Sequence, residues 1–370
     1  MNRKKTLASA AAVSGILTVL FSQSIAHADT NVGNNTTFAA VGSDTSQDVM
    51  EGLSAILKDS NGNPLISNYK ATAVGRTITT RSADADCTFT VPRNSGEGRD
   101  ALSAALRGAS YAGSGTTTPV TSPDMTGCVN IARSSSGGNP TTSPGVGKMT
   151  YIPFATDSVT YATLTGSSLP HKLNVNTLKA LYSANGTPGS SACSGFSPLL
   201  PASGSGTRSF FATLLGLTDT ATFGTSGSWG TCVSDTDASG TSIQEHDGRF
   251  LTNNKQVIPF STAQFLAQQS STITDIRGRA SLGSIDFGAS GTANAISPVT
   301  LQTTFGTGTR PLYNVVSTDA ITTGTSSYSQ RLVDALVGSS SQICAATSTI
   351  QQYGLAPNST CGSTAKTNTN

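Results

Sequence analysis

One local pattern recurs along this chain and constrains its fold more than any other feature. A short turn of Gly, Ser, Thr or Asn leads into an amphipathic helix at residues 42–46, 93–98 and 203–208. After each turn, apolar residues recur at spacings of three and four, which places them on one helix face. Two of these helices end at Gly108 and Gly216, since Gly readily takes the left-handed conformation of a helix C-terminus.

Short apolar runs lie between these helices and are typical of buried strands. They occur at residues 38–41, 87–91, 129–132, 151–154 and 159–162. Strands that alternate with helices predict an α/β fold with largely parallel sheets. Toward the C-terminus, the apolar spacing predicts two further helices, at residues 330–337 and 342–353.

The chain carries little charge for its size. Of its 370 residues, 11% are charged and the formal net charge is +2, whereas a typical soluble domain has about 25% charged residues. Nucleic-acid binding needs clustered Lys and Arg to neutralise phosphates, so a nucleic-acid partner is excluded. Because 36% of the residues are apolar, the chain can build a core and is not generically disordered. The length predicts two domains or one large one.

Residues 1–28 have the pattern of a secretory signal peptide. Basic residues at positions 3–5 precede an apolar stretch, and Ala26-His27-Ala28 forms a small-x-small cleavage site. The apolar run is shorter than the roughly 20 residues that span a membrane, which disfavours an anchor. With no Cys near the cleavage site for lipid attachment, we expect a secreted protein, or a periplasmic one if the cell has an outer membrane.

The mature chain contains six Cys residues. An even number of Cys in a secreted chain predicts disulfides, and six allow 15 pairings. Sequential pairing is our hypothesis among these, joining Cys87 to Cys128, Cys193 to Cys232, and Cys344 to Cys361. No C-x-x-C spacing occurs, and His171 and His246 are the His residues left after cleavage, so no metal site is expected.

The recurring turns have a chemical consequence. The first N–H groups of a helix have no intrahelical partner, and the helix dipole places partial positive charge there. Gly permits close approach of a ligand and Ser or Thr adds a hydroxyl donor, so such ends bind anions. The same residues also simply cap helices. If the three turns converge with the Arg-bearing loop at residues 133–138, they surround a tetrahedral oxyanion mostly with neutral donors.

The same segments resemble phosphate-binding proteins of the PstS type, which are substrate-binding proteins of ABC transporters. Gly204-Ser205-Gly206-Thr207, before a Phe-rich helix, is similar to the Gly-Ser-Gly-Thr signature of that family. Residues 40–45 resemble its first Gly-rich anion loop, and Asn94-Ser95-Gly96 resembles its Ser-Gly-Gly helix start. Residues 129–135 resemble the strand and loop that follow, and residues 151–154 the first hinge crossing.

This resemblance implies a two-lobed α/β fold of the type II periplasmic-binding-protein class, with hinge strands and a ligand cleft between the lobes. It places lobe 1 at residues 29–154 plus 310–370 and an inserted lobe 2 at residues 155–309. It implies phosphate or a similar oxyanion as the ligand, with no catalysis and no cofactor. The expected state is a monomer, and a permease of an ABC transporter is the candidate partner.

The expected ligand-binding residues come from the same segments: Ser43, Asp44, Thr45, Asn94, Ser95, Gly96, Arg133, Ser134, Ser135, Ser205, Gly206, Thr207 and Arg208. The family's usual Arg and its Asp proton acceptor fall at Pro201 and Ser135 here. Arg133 and Arg208 are therefore expected to supply positive charge, since Arg grips an oxyanion with two parallel hydrogen bonds. Asp44 either replaces the proton acceptor or caps the first helix, and both alternatives stay open.

Other segments and functions have weaker support. Glu245-His246-Asp247 is interpreted as a surface turn, because neighbouring loop residues rarely converge. A secreted phosphatase-like hydrolase is one alternative function, but the chain contains neither Gly-x-Ser-x-Gly nor His-Glu-x-x-His. A carbohydrate-binding or adhesive module is another, and a single Trp with 6% aromatic residues argues against it.

Overall fold

The computed structural model describes residues 29, 32–71, 75–114, 116–137, 148–287 and 308–369. The expected signal peptide lies outside these residues. The helices are α1 (Gln47–Ile56), α2 (Ser95–Arg107), α3 (Val175–Ser183), α4 (Gly206–Leu215), α5 (Thr262–Gln269), α6 (Gln330–Leu336), α7 (Gln342–Ala345) and α8 (Thr347–Gln352). Short 3-10 turns lie at Ala85–Cys87, Ser191–Cys193, Gly248–Phe250 and Asp319–Ile321.

The strands are mostly short, with one long exception. They are β1 (Phe38–Gly42), β2 (Ile66–Asn68), β3 (Thr77–Thr79), β4 (Thr88–Thr90), β5 (Tyr111–Ala112), β6 (Thr121–Ser122), β7 (Ile131–Ser134), β8 (Lys148–Leu164), β9 (Lys172–Asn174), β10 (Ser197–Pro198), β11 (Gln256–Ser261), β12 (Ala280–Leu282), β13 (Ser284–Asp286), β14 (Thr309–Ser317), β15 (Ala356–Pro357) and β16 (Thr367–Thr369).

A ten-stranded sheet runs through the centre, in the order β10-β11-β8-β14-β7-β1-β2, with β12, β15 and β16 also paired to β8. Strand β1 is parallel to β2 and β7, and β10 is parallel to β11. Strands β11 and β14 run antiparallel to β8. The expectation of largely parallel sheets is therefore wrong. Strand β8 carries the chain from one half of the sheet to the other and β14 carries it back, so the crossing pair is antiparallel.

Strand β8 joins the two halves of the sheet. The two separate extended segments expected at residues 151–154 and 159–162 are both part of this single 17-residue strand. Its first half pairs with β14, from Thr309 opposite Ser158 to Ser317 opposite Met149. Its second half pairs with β11 and β12. We call the half with β1, β2, β7 and β14 lobe 1, and the half with β10, β11 and β12 lobe 2.

Each lobe has apolar packing on both faces of its part of the sheet. In lobe 1, Tyr151 and Phe154 belong to two different buried clusters, because side chains alternate between the faces of a strand. In lobe 2, Tyr161 and Phe260 likewise belong to separate clusters. Burying each such side chain stabilises the fold by about 1.5–3 kcal/mol. The predicted two-lobed α/β fold is confirmed, whereas the exact boundaries at residues 155 and 310 stay a prediction.

The turn–helix units of the sequence are confirmed as α1, α2 and α4. Gly108 and Gly216 end the last two with φ of 61° and 60°, in the left-handed region that Gly favours. The predicted helix at residues 342–353 is wrong as a single element, because Ala346 leaves helical geometry with φ −81° and ψ 40° and separates α7 from α8.

Three disulfides cross-link the described part of the chain, and they confirm the predicted sequential pairing. Cys87 bonds to Cys128, Cys193 to Cys232, and Cys344 to Cys361. The first fixes the hairpin of β3 and β4, which lies outside the central sheet. Among the residues that the structure describes, none of the helices has the length and apolar character needed to cross a bilayer.

Candidate functional site

The loop after β1 and the N-termini of α2 and α4 meet where the two lobes touch. Gly96 N–H donates to Gly204 O at 3.2 Å, which joins α2 of lobe 1 to the turn before α4 of lobe 2. Ser135 N–H donates to Ser95 Oγ at 3.0 Å, and the two hydroxyl oxygens lie 3.2 Å apart. Thr45 Oγ1 lies 3.4 Å from Ser135 Oγ. Thr45, Ser95 and Ser135 of lobe 1 therefore form one cluster, whereas Ser43 Oγ is buried without a hydrogen-bond partner among the described residues.

This close approach depends on glycine. A Cβ atom at Gly206 would lie 2.2 Å from Ser135 Oγ and 2.7 Å from Ser95 Oγ, so a larger residue would push the lobes apart. At Gly42, where φ is +109°, a Cβ would lie 2.7 Å from Arg133 O. The glycines at both positions are required by contacts that the turns make across the structure.

Arg133 lies beneath the first loop and not among the hydroxyls. Its side chain is fully buried, and its guanidinium donates to Ala40 O at 2.8 Å, Gly42 O at 2.9 Å and Ser43 O at 3.2 Å. Nη1 also donates to Asn68 Oδ1 at 2.8 Å. Burial lowers the pKa of Arg133 to about 10, so it remains charged at neutral pH. Because each of its nitrogens already has a fixed acceptor, the expected grip on an oxyanion is replaced by support of the loop.

Arg208 is likewise occupied elsewhere. Its Nε donates to Asp219 at 2.8 Å and its Nη1 to Asp235 at 2.8 Å, while Nη2 donates to Thr220 O at 2.6 Å. Asp219 also accepts from the indole of Trp229 at 2.9 Å. This network fixes the loops that follow α4 in lobe 2. The expected contact of Arg208 with a ligand is therefore corrected to a structural ion pair.

Three more predicted residues have local partners. Asn94 caps α2 by accepting from Glu97 N–H at 3.0 Å, and Ser205 caps α4 by accepting from Arg208 N–H at 3.0 Å. Ser134 Oγ accepts from Arg99 at 2.8 Å. Their side chains thus orient the turns, and the groups that converge are those of Asp44, Thr45, Ser95, Ser135 and Thr207.

The carboxylate of Glu245 lies between two of these groups, the hydroxyls of Thr45 and Thr207. Its Oε2 accepts from Thr45 Oγ1 at 2.9 Å and from Thr207 Oγ1 at 2.8 Å. Glu245 and His246 are 4% and 3% exposed, so the interpretation of residues 245–247 as a surface turn is wrong. His246 has a φ of 58°, a left-handed conformation that lets two adjacent side chains enter the same site. No local sequence pattern predicts a left-handed backbone conformation at this His.

His246 acts as a hydrogen-bond donor, and its Nε2 lies 2.9 Å from Thr45 Oγ1 as well as close to Glu245. Its Nδ1 accepts from Ser261 N–H at 3.2 Å, which assigns the proton to Nε2, and Nε2 lies 3.1 Å from Glu245 Oε2. Asp44, Glu245 and His246 offer atoms within 4.8 Å of one another, a spacing open to a metal ion. A metal-bound imidazole usually donates its other N–H to an acceptor. The contact with Ser261 is the reverse, so the cluster fits hydrogen bonding better than metal binding.

Arg310 brings positive charge to this cluster. It is 2% exposed, and its Nη2 donates to Asp157 Oδ2 at 2.9 Å and to Thr207 Oγ1 at 2.8 Å. Asp157 is itself held by Ser261 Oγ at 2.8 Å. Nη1 of Arg310 is buried without a hydrogen-bond partner among the described residues. Sequence reasoning missed both residues, although Arg310 directly follows Thr309, where the return crossing between lobes was expected, and that position was the available signal.

Asp44 forms a carboxyl pair with Glu245 and does not cap α1, which begins after Ser46. Burial and the charge of Glu245 raise the pKa of Asp44 well above its usual range. Burial also raises the pKa of Glu245, but hydrogen bonds from His246 and Asp44 and the charge of Arg310 outweigh it and lower that pKa. One oxygen of each carboxyl is buried without a donor from the residues that the structure describes. When Asp44 is protonated and donates to Glu245, the pair carries one negative charge.

Comparison with known proteins gives structural likeness alone. No family model matches the chain, and no curated protein matches it. A phosphate ABC transporter substrate-binding protein of Clostridium perfringens, with bound phosphate, is 14% identical with a TM-score of 0.47, over 87% of this chain and 99% of that chain. A phosphate transport receptor of Vibrio cholerae is 12% identical with a TM-score of 0.45, over 86% and 99%.

In structure, the chain resembles phosphate-binding receptors. A further match is a periplasmic phosphate-binding protein, PfluDING, solved with phosphate, at 12% identity and a TM-score of 0.46 over 88% of this chain and 91% of that chain. At these identities and TM-scores the likeness concerns the course of the chain. The function is therefore argued from the residues of the site.

Proposed function

We propose that this protein binds inorganic phosphate, or a similar tetrahedral oxyanion, between its two lobes, and that it is a solute-binding protein without catalysis. The observation that carries this proposal is that hydroxyl donors from both lobes converge on one negatively charged oxygen, with the Arg310 guanidinium beside them. Thr45 comes from lobe 1 and Thr207 from lobe 2, and Ser135 lies next to Thr45. The present occupant of that position is a carboxylate of the protein itself, Glu245.

The donor set suits an oxyanion for two physical reasons. Thr45 and Thr207 lie at or beside helix N-termini, where free N–H groups and the helix dipole favour negative charge. In addition, Arg310 keeps a buried Nη1 that has no partner in the described part of the chain, and leaving a buried donor unpaired costs about 1–3 kcal/mol. An anion with several oxygens can use this donor together with the hydroxyls.

The position of the site suggests how a ligand is clamped. Asp157 lies on β8 and Arg310 on β14, the two strands that cross between the lobes. A ligand that contacts Thr45 on one side and Thr207 on the other binds the closed arrangement better than an open one, and so shifts the population toward closure. Strands β8 and β14 would act as the hinge, with the lobe boundaries near residues 155 and 310.

We further propose that the protein is secreted and takes part in phosphate transport. The expected signal peptide and the three disulfides suit an oxidising, extracellular or periplasmic location. The protein would act as a monomer, either delivering its ligand to the permease of an ABC transporter or scavenging it outside the cell.

Calorimetric titration tests the binding step. We expect heat on titration with phosphate at pH 7.5, and none with a panel of neutral sugars. Arg310→Lys keeps a positive charge but loses the planar fork of guanidinium donors, so it should weaken phosphate binding at least tenfold. Arg249→Lys is the matched control, because Arg249 is 64% exposed and pairs with Asp247 away from the hydroxyls. Equal affinity of both variants and the wild type would refute the assignment of Arg310.

A further inference from the structure

Glu245 has the contacts that the proposed function gives to a bound oxyanion. One of its oxygens accepts from Thr45 Oγ1 of lobe 1 at 2.9 Å and from Thr207 Oγ1 of lobe 2 at 2.8 Å. His246 Nε2 lies 3.1 Å from the same oxygen. An anionic oxygen that receives donors from both sides of a cleft is bound in the manner of a clamped ligand. Here, however, the anion is covalently part of lobe 2.

The donors cannot serve Glu245 and an external anion at the same time. A Thr hydroxyl carries one proton and donates one hydrogen bond, and both hydroxyls are committed to Glu245. Charge adds to this conflict. An oxyanion beside the ionised Glu245 would place two like charges in a buried site, next to an Arg310 that is already paired with Asp157 at 2.9 Å. An external oxyanion can enter only when the Glu245 carboxylate withdraws.

We infer that Glu245 is a tethered anion that occupies the oxyanion position and competes with the external ligand. This inference rests on the proposed function and adds a residue that sets the affinity of the site. Glu245 weakens the binding of every oxyanion by the same competition, so a ligand must supply stronger contacts to Thr45, Thr207 and Arg310 than the carboxylate does. The residue thereby raises the ligand concentration at which the protein becomes loaded.

The test compares phosphate and sulfate titrations of the full secreted, disulfide-bonded protein with those of two variants. Glu245→Gln keeps the size and one accepting oxygen of the side chain but removes the competing charge. Asp247→Asn is the matched control, since Asp247 is equally buried but accepts from the N–H and guanidinium of Arg249. We expect the phosphate Kd of Glu245→Gln to be at least tenfold lower than that of the wild type, and that of Asp247→Asn to stay within twofold.

The outcomes separate the two proposals. If the wild type binds phosphate and a folded Glu245→Gln variant binds it no tighter, Glu245 is not a competitor and the inference fails alone. If neither protein binds phosphate or sulfate, the proposed function fails and the inference fails with it. Glu245→Asp provides a second variant should the Gln variant not fold. It keeps the charge on a side chain shorter by one methylene, and we expect a Kd between those of the wild type and Glu245→Gln; a Kd at or above the wild-type value contradicts the inference.

Discussion

Two buried arginines, Arg133 and Arg310, show how differently the same side chain is used in this molecule. The nitrogens of Arg133 donate to the carbonyl groups of the first loop and to Asn68. Arg310 pairs with Asp157, touches the Thr207 hydroxyl, and keeps one buried nitrogen without a partner among the described residues. Arg133 therefore supports the first loop, whereas we propose that Arg310 contacts a ligand. Proximity to the Gly- and Ser-rich turns led us to predict Arg133 as a ligand-binding residue and gave no signal for Arg310.

The largest expected effect is a loss of folding stability when Arg133 is replaced. Arg133→Met removes the donors of several buried carbonyl groups, each worth about 1 kcal/mol or more. We expect the free energy of unfolding in urea to fall by about 3–5 kcal/mol. Arg249→Met, at an exposed position, should change it by less than about 0.5 kcal/mol. A loss for Arg133→Met as small as that of the control would mean that the loop does not depend on this guanidinium.

A second prediction concerns binding without a large loss of stability. Thr207→Val removes the hydroxyl that donates to Glu245 at 2.8 Å but keeps the shape of the side chain. We expect phosphate binding, followed by calorimetry, to weaken severalfold, because phosphate loses a charge-assisted hydrogen bond and the competing Glu245 carboxylate loses a weaker one. Thr213→Val is the control, because Thr213 lies on α4 and its hydroxyl donates to Ser209 O at 3.2 Å. Comparable losses in both variants would show that position 207 has no special part in binding.

A third prediction concerns the contact between the lobes at Gly206. Gly206→Ala places a carbon 2.2 Å from Ser135 Oγ, so the N-terminus of α4 must shift away from lobe 1. We expect a severalfold weaker phosphate affinity and a stability loss of about 1–3 kcal/mol from overpacking. At Gly137 an added carbon meets mainly the end of the Lys366 side chain, so Gly137→Ala should change the affinity little. Unchanged affinity in Gly206→Ala would argue against closure at this contact.

The smallest expected effect concerns the pH dependence of stability. Because the pKa of Asp44 is raised in the folded protein, the folded state favours its protonated form. The stabilisation from that proton is complete below the unfolded pKa of about 3.9 and is lost as the pH rises toward the folded pKa. Asn cannot ionise, so Asp44→Asn should be more stable than the wild type by about 1 kcal/mol or more at pH 7.5, with a smaller difference at pH 4.5. Urea unfolding at both pH values measures this, and a difference that grows toward low pH would contradict it.

Much of the fold follows from local sequence patterns. The helices α1, α2 and α4, their Gly ends and the three disulfides were predictable because caps, glycines and Cys order are local features. The hydroxyls of Thr45, Ser95, Ser135 and Thr207 were predicted for the same reason, since each lies at or next to a Ser- or Gly-rich turn, and their contact with a ligand stays a prediction.

The charged part of the site was not predictable in this way. Glu245 meets Thr45 across 200 residues of sequence, and Arg310 meets Asp157 across 153. These contacts exist only because β8 and β14 cross between the lobes and a left-handed His246 turns a loop inward. For Arg133 and Arg208, the sequence places each beside a binding turn but does not show which acceptors surround its guanidinium.

A crystal structure of the protein grown with phosphate tests most directly whether the oxyanion takes the place of the Glu245 carboxylate between the lobes. We expect a phosphate ion within hydrogen-bond distance of Thr45, Thr207 and Arg310, with the Glu245 carboxylate moved away from the two hydroxyls. A phosphate held by Arg133 or Arg208, or a site in which Glu245 keeps both hydroxyls while phosphate binds elsewhere, would contradict it.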